Sequence, residues 1–235
     1  MKAQSLLLQT MLAGAGVLLA ASAQATILTF DLDPALPNYG DIPGSYGDNV
    51  NAASDAVGSY LVGNGYTPNV TTDYRTWQIS TDTVAYNNLD FWATGYGDLT
   101  NVAYSVTSSN HFAEITFVPE PGWAIRLNSF DVGGYSFADH PSSQVRILDG
   151  TSNTILVDYS PVTILGTGGT HSTFTPGLTH EGPLSIRFGY NDWNVGIDNI
   201  NFDQVAVVPE PETYAMLLAG LGLVGFMARC RKQNV

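Results

Sequence analysis

The sequence is poor in basic side chains. It contains 8 lysines and arginines against 21 acidic residues, which gives a formal net charge of -13 over 235 residues. This balance argues against direct nucleic-acid binding, because that function needs basic groups that displace counterions from phosphates. One cysteine is present, and this excludes both an internal disulfide framework and a cysteine-rich zinc site.

Charged residues of either sign are scarce, at 12% of the chain, whereas 44% of the residues are hydrophobic and 11% are aromatic. This composition predicts a folded domain with a sizeable core rather than a disordered chain. Residues 26–208 contain four arginines, no lysine and most of the aspartates. A lysine-free, aspartate-rich domain suits a secreted surface that meets divalent cations.

Residues 1–25 are predicted to be a secretory signal peptide. Lys2 precedes an apolar stretch, and the small residues at 21–25 contain two overlapping A-x-A cleavage sites. Cleavage after Ala25 starts the mature chain at Thr26. The alternative is an uncleaved N-terminal membrane helix, which the short apolar core and the small residues disfavour.

A second apolar run, residues 214–228, lies near the C-terminus. As a helix its fifteen residues span about 22 Å, less than the ~30 Å hydrocarbon core, so it crosses a membrane only if the bilayer thins or flanking residues reach out. The basic cluster behind it predicts a cytoplasmic C-terminus and a domain outside. The flanking residues are Val208, Pro209, Glu210 and Pro211 before the run, and Arg229, Arg231 and Lys232 after it.

This order of Val-Pro-Glu-Pro, glycine-rich apolar helix and basic cluster resembles the PEP-CTERM sorting signal of Gram-negative bacteria over residues 208–232. The resemblance implies export, transient anchoring in the inner membrane and cleavage near Pro-Glu-Pro by an exosortase. Release or attachment at the cell surface follows, often in bacteria that make exopolysaccharide. A second Val-Pro-Glu-Pro at residues 118–121 is not followed by an apolar helix, so it is interpreted as a loop inside the domain.

Residues 26–207 are predicted to form one all-β domain, a single antiparallel β-sandwich. Short β-rich runs recur between glycine, proline, asparagine and aspartate, and several alternate apolar with polar residues. A loop at Asp149-Gly150 is a hairpin candidate. The clearest runs are 27–32, 76–80, 102–106, 112–118, 125–132, 144–148, 154–159, 184–190 and 195–202.

The run 195–202, with segments 130–134 and 145–149, resembles jelly-roll, galactose-binding-like modules. In such modules a structural calcium ion commonly joins the first loop to the last strand. The alternative for each aspartate is a turn or cap formed by local side-chain bonds. By the resemblance the predicted calcium ligands are Asp198 and, as its partners, Asp31, Asp33, Asp41 and Asp48.

Catalytic patterns are weak in this sequence. The four histidines lie far apart without an H-E-x-x-H motif, and residues 134–138 miss the last position of G-x-S-x-G. We therefore predict a protein that is not an enzyme.

Sugar binding needs an aromatic face beside polar side chains, and the best cluster is Asn191, Asp192 and Trp193, with Trp92 second. For each tryptophan the alternative is a structural role, with the side chain packed in the core or between the two sheets.

The sequence thus predicts an exported cell-surface or extracellular-matrix protein that is processed at its sorting signal. Its expected role is non-catalytic, with extracellular polysaccharide as ligand. One alternative is a secreted polysaccharide-active hydrolase, which two facing carboxylates in a groove would favour. The other is a purely structural biofilm or adhesion protein.

Overall fold

The computed structural model describes residues 24–32, 40–51, 56–57, 60–61, 65–107, 110–190, 194–207 and 218–222. Within the predicted membrane segment, residues 218–222 are helical and exposed. Over the described parts of the chain, no helix has the length and apolar character needed to cross a membrane. Other predictions fall outside these residues: 1–23 of the signal peptide, Val208, Pro209, Glu210, Pro211, Arg229, Arg231 and Lys232.

The described domain is built from strands joined by turns. In chain order they are β1 (Thr26–Leu28), β2 (Asp31–Leu32), β3 (Ala56–Val57), β4 (Tyr60–Leu61), β5 (Val70–Gln78), β6 (Thr83–Tyr86), β7 (Asp90–Trp92), β8 (Val102–Tyr104), β9 (His111–Pro119), β10 (Trp123–Gly134), β11 (His140–Ser143), β12 (Val145–Asp149), β13 (Ile155–Asp158), β14 (Val162–Ile164), β15 (Ser172–Phe174), β16 (Leu178–Glu181), β17 (Leu184–Phe188) and β18 (Val195–Ala206).

Two antiparallel sheets contain most of these strands. The first has the order β15-β10-β18-β8-β7, with β1 also paired to β18 and β16 to β10, and the second has the order β13-β12-β17-β9-β5-β6. Small pairings β2-β4-β3 and β11-β14 lie outside them. Phe117 of the second sheet meets Phe202 of the first with ring centroids 4.6 Å apart, and both are fully buried. The core therefore lies between the sheets, which confirms the predicted antiparallel β-sandwich.

Each of the predicted β-rich runs contains a strand, because alternation of apolar and polar residues is a local signature of a half-buried strand. The hairpin candidate is confirmed: Asp149 ends β12, and β13 pairs back onto it. The internal Val-Pro-Glu-Pro differs in part from the predicted loop. Val118 and Pro119 complete β9, and the turn begins at Glu120.

The predicted run 27–32 is interrupted at Phe30. This residue is fully buried and has a φ of 52°, in the left-handed region that larger side chains rarely adopt. Its backbone N–H donates to the hydroxyl of Tyr46 at 2.7 Å, so packing and a hydrogen bond hold the turn. The chain changes direction here and delivers Asp31 to the candidate site described below.

One side of the first sheet faces away from the core and is called the outer face. Ile197 and Ala103 form a register pair buried in the core, so their chain neighbours project to the other side. The outward positions on four adjacent strands are Asp131 and Gly133, Gly196 and Asp198, Val102 and Tyr104, and Asp90 and Trp92.

Candidate functional site

A pocket of about 300 Å³ opens on the outer face. The end of β1, the β7–β8 loop (residues 93–101) and the middle of β18 form its walls. Three of its lining residues are aspartates, so it is called the acidic pocket. Its lining residues are Thr29, Asp31, Asp98, Leu99, Thr100, His171, Asp198 and Asn199.

A β-bulge in β18 shapes this pocket. Asp198 pairs with Asp131 and Asn201 pairs with Ser129, so β18 holds one more residue between these pairs than β10 does. Asn199 adopts a φ of 51°, which asparagine tolerates better than most residues. Its Nδ2 donates to Oδ2 of Asp131 at 3.0 Å. The bulge therefore places an amide donor beside two facing carboxyl groups.

The cross-strand pair of Asp131 and Asp198 is electrostatically unfavourable when both are ionised, because like charges directly opposite in a sheet repel. Asp198 is 5% exposed. Burial is the main cause that raises its pKa to about 8, the charges of Asp31 and Asp131 raise it further, and a hydrogen bond from the Asn199 N–H opposes them. The folded protein thus retains a proton on Asp198 at neutral pH.

His171 lies between the carboxylates of Asp98 and Asp131 at the rim. Its Nδ1 lies 2.8 Å from Oδ1 of Asp98, and this hydrogen bond is the main cause that lowers the pKa of Asp98. Its Nε2 lies 3.6 Å from Oδ1 of Asp131, which also accepts a 2.7 Å hydrogen bond from Oγ1 of Thr173. A dense polar network therefore surrounds the mouth of the pocket.

Two of the five predicted calcium ligands meet in the acidic pocket. Asp198 and Asp31 both line it, and Oδ1 of Asp31 accepts a 2.7 Å hydrogen bond from Nδ2 of Asn101. Asp33 lies outside the described residues. The pocket therefore holds the predicted central ligand and one predicted partner.

The other two predicted ligands make different contacts. Asp41 hydrogen-bonds Asp90, whose pKa rises to about 6, mainly because it is buried. Asp48 accepts a 2.6 Å hydrogen bond from the backbone N–H of Thr72. Within the described ranges, no group of three or more histidine, cysteine, aspartate or glutamate side chains is placed to hold a metal ion. Calcium binding stays a prediction, with Asp198 and Asp31 as its candidate ligands.

A chelator tests the calcium prediction. We expect EDTA to lower the melting temperature of the purified protein at pH 8, and excess calcium to restore it. Binding to the folded state alone contributes about 2.7 kcal/mol at a free calcium concentration 100 times the Kd. The same chelator saturated with calcium beforehand serves as the control. A melting temperature that is identical with and without chelator contradicts a stabilising calcium site.

Exposed aromatic side chains lie on the same face. Trp92 is 46% exposed and meets Tyr135 edge-on, with ring centroids 6.4 Å apart. Phe137 is 58% exposed, and its backbone N–H donates to the Gly95 carbonyl at 3.1 Å. Trp92, Tyr135 and Phe137 are called the aromatic edge.

A small second core supports this edge. Tyr135 packs on Tyr96 with ring centroids 5.0 Å apart, and Tyr96 is buried against Val102. A Cβ at position 196 would lie 2.6 Å from Val102 and 3.0 Å from Tyr96, so glycine allows their close approach. The β7–β8 loop contains Tyr96 and also contributes Asp98 to the acidic pocket, so the two features share one support.

The turn that presents Phe137 is strained. Ser136 and Phe137 both adopt left-handed φ values, of 60° and 55°. Such conformations cost non-glycine residues about 1 kcal/mol or more each and cluster at functional sites. The side chain of Phe137 is exposed and does not contribute to the core, so we hypothesise a role for it at the surface.

Replacing Phe137 with glycine separates the effect of backbone strain on stability from the effect of the exposed ring on binding. We expect Phe137→Gly to raise the free energy of unfolding by roughly 0.5–1 kcal/mol, because glycine adopts a left-handed φ without strain. We also expect the same variant to bind polysaccharide more weakly. Denaturant unfolding and affinity electrophoresis measure the two quantities. Unchanged binding contradicts the assignment of Phe137 to a binding surface, and a loss of stability contradicts the strain.

Most residues of the site were missed from the sequence, and Asp131 and His171 show why. Asp131 occupies an outward position of an alternating run, which is a usable signal, but such positions usually hold solvated polar groups. His171 has no local signal, since its partner Asp98 lies 73 residues away in the chain. Of the predicted sugar-binding residues, Trp92 is placed on the surface, whereas Asn191, Asp192 and Trp193 lie outside the described residues.

Comparison with known proteins identifies the C-terminal signal. A family profile described as the PEP-CTERM protein-sorting motif matches residues 207–232. The motif implies an exported protein whose C-terminus is membrane-anchored before an exosortase processes it. No curated protein matches this chain. A solved structure described as "CBM4 structure and function" aligns over 56% of this chain and 81% of its own, at 14% identity and a TM-score of 0.27.

Proposed function

We propose that the exported protein is a non-catalytic component of the cell surface or extracellular matrix, and that its outer face binds extracellular polysaccharide. The observation that carries the proposal is the aromatic edge, where Trp92 is 46% exposed beside Tyr135. The predicted jelly-roll arrangement of the sandwich is part of the same proposal.

The chemistry of the outer face fits a sugar ligand. Aromatic rings with one apolar face open to solvent can stack on the C–H surfaces of pyranose rings, and a few placed polar groups orient the ligand. The acidic pocket supplies carboxylate, amide and imidazole groups from Asp98, Asn199 and His171. The β7–β8 loop supports the aromatic edge through Tyr96 and contributes Asp98 to the acidic pocket, and we expect one oligosaccharide chain to contact both features.

Charge narrows the class of polysaccharide. Between residues 26 and 208 the chain has four arginines against 19 acidic residues. An acidic polysaccharide is therefore repelled over the Debye length of about 8 Å at physiological salt. Neutral or basic polysaccharides are the expected ligands.

Affinity electrophoresis tests the proposal. The purified protein is run through gels that contain a neutral glucan, a neutral mannan, a basic glucosamine polymer or an acidic uronate polymer. We expect retardation by at least one neutral or basic polymer and none by the uronate. Migration that is the same in every gel contradicts polysaccharide binding, and the purely structural adhesion role then remains.

A hydrolase is the second candidate, and the facing pair of Asp131 and Asp198 favours it. A raised pKa of about 8 suits Asp198 to a general acid. Two facts support the non-catalytic reading instead: Asp198 is 5% exposed, and both oxygens of Asp131 accept hydrogen bonds. Release of reducing ends from a bound polysaccharide, abolished in Asp198→Asn, would establish the hydrolase.

A further inference from the structure

The folded domain ends immediately before the sorting motif. Ala206 is the last residue of β18 and pairs with Trp123. The backbone N–H of Val207 donates to the Gly122 carbonyl at 2.9 Å. The chain is therefore held by the domain up to the residue that precedes Val208.

The distance from the domain to the apolar run is short. Six residues, 208–213, separate Val207 from Tyr214, and a fully extended chain of six residues spans at most about 20 Å. Pro209 and Pro211 favour extended backbone for this segment. An enzyme that cleaves here while the apolar run is in the membrane must therefore lie against the end of the domain from which Val207 emerges.

Two tight turns build that end of the domain. In the β9–β10 turn, the N–H of Trp123 donates to the Glu120 carbonyl at 3.0 Å, and Gly122 has a φ of 88°. Proline at the second position and glycine at the third are typical of a rigid type II turn. At the second turn, Glu181 ends β16 and Gly182 leads into β17. The turns surround a recess of about 410 Å³, here named the exit face with its lining residues Pro119, Glu120, Pro121, Gly122, Trp123, Glu181, Gly182 and Val207.

We propose that the exit face is a docking surface for the membrane-embedded processing enzyme. Glu120 and Glu181 are exposed at its rim, and its lining residues include no basic side chain. The chemistry fits a partner with basic groups around an apolar projection that enters the recess. A lipid surface fits less well, because anionic headgroups repel the two glutamates. The inference rests on the sorting motif and is independent of polysaccharide binding.

The internal Val-Pro-Glu-Pro belongs to this face but is not a second cleavage site. Val118 pairs with Thr71 and Pro119 with Val70 in the sheet. The N–H of Glu120 donates to the Asn69 carbonyl at 2.8 Å. Backbone groups that are committed to a sheet cannot enter a peptidase cleft, so cleavage is confined to the C-terminal copy.

Pulse-chase labelling of the full-length chain in cells with an active exosortase tests the proposal. We expect Glu120→Gln with Glu181→Gln to slow conversion of precursor to processed protein roughly three- to tenfold, as for lost charge complementarity at an interface. The control, Thr83→Lys with Asn87→Lys, changes the net charge equally on exposed residues at β6 and is expected to keep the wild-type rate.

A second variant inserts ten glycine and serine residues between Val207 and Val208, which leaves domain and motif intact but separates them. Docking predicts slower processing for this variant as well. Wild-type rates in both test variants, or an equal delay in the lysine control, would overturn the docking surface. Precursor that persists in the wild-type chain would instead refute processing itself, and loss of polysaccharide binding would affect neither result.

Discussion

Replacing Asp198 with asparagine is expected to stabilise the domain strongly at pH 8 and only slightly at pH 4. In the folded protein, burial and the neighbouring charges of Asp31 and Asp131 raise the Asp198 pKa from 3.8 to about 8. Folding therefore favours the protonated carboxyl group. Between these two values the folded state binds more protons than the unfolded state, so the free energy of unfolding falls as pH rises from about 4 to 8.

The size of the effect follows from the pKa shift. Each pKa unit corresponds to about 1.4 kcal/mol, so the wild-type domain loses on the order of several kcal/mol across this pH range. Asparagine has the shape of a neutral aspartic acid, keeps the acceptor for the Asn199 N–H, and does not titrate. We expect the variant to melt roughly 5–10 °C higher than wild type at pH 8, measured in chelator so that no bound cation contributes.

Asp139→Asn is a control of opposite sign. Asp139 is exposed, and backbone N–H groups of Thr167 and Gly166 donate to it and lower its pKa. The stabilisation that the ionised Asp139 side chain provides is therefore present above its pKa in the unfolded state, and it is lost as pH falls through the lower pKa of the folded state. The control is expected to melt lower than wild type at pH 8 and equally at acidic pH. If the melting temperature of Asp198→Asn differs from that of wild type by the same amount at pH 4 and pH 8, the pKa of Asp198 is not raised in the folded protein.

Replacing Trp92 with alanine is expected to weaken polysaccharide binding roughly 10- to 30-fold, the range typical of an aromatic anchor in an interface. Trp92 carries the largest exposed ring of the aromatic edge, and Tyr135 and the β7–β8 loop fix its position. Because 46% of its surface is already exposed, we expect the melting temperature to change little.

Tyr86→Ala is the matched control for this experiment. Tyr86 is 44% exposed on β6, an edge strand of the other sheet. Its loss removes a similar exposed aromatic ring from the sheet that does not carry the outer face, so binding should be unchanged. Titration by isothermal calorimetry or affinity electrophoresis gives both affinities. Equal affinities of wild type and Trp92→Ala for the polysaccharide would show that Trp92 is not part of the binding surface.

The sandwich was predictable because its signals are local. Alternation along β9, β10 and β18 reports a half-buried strand without knowledge of its partner. The interruption at Phe30 was not predictable, since a left-handed phenylalanine is stabilised by burial and by Tyr46, which no local pattern encodes.

The candidate site was predictable only in part. Asp198 and Trp92 were identified, but the pairing of Asp198 with Asp131 depends on the register of two distant strands and on the bulge at Asn199. A three-residue strand such as β7 does not show from its sequence which side faces the core. The exposure of Trp92 therefore follows from its register opposite Val102, next to the inward-facing pair of Phe91 and Ala103, and not from composition.

The most direct test of polysaccharide binding is a nuclear magnetic resonance titration of the purified protein with a soluble oligosaccharide cut from the polymer that retards it. Binding by the outer face predicts that the Trp92 indole signal and the Gly95 amide signal shift and saturate together. Signals from Tyr86 on the other sheet should not move. Saturable shifts confined to β6 and its neighbours, with the Trp92 signal unchanged, would contradict the assignment of the outer face.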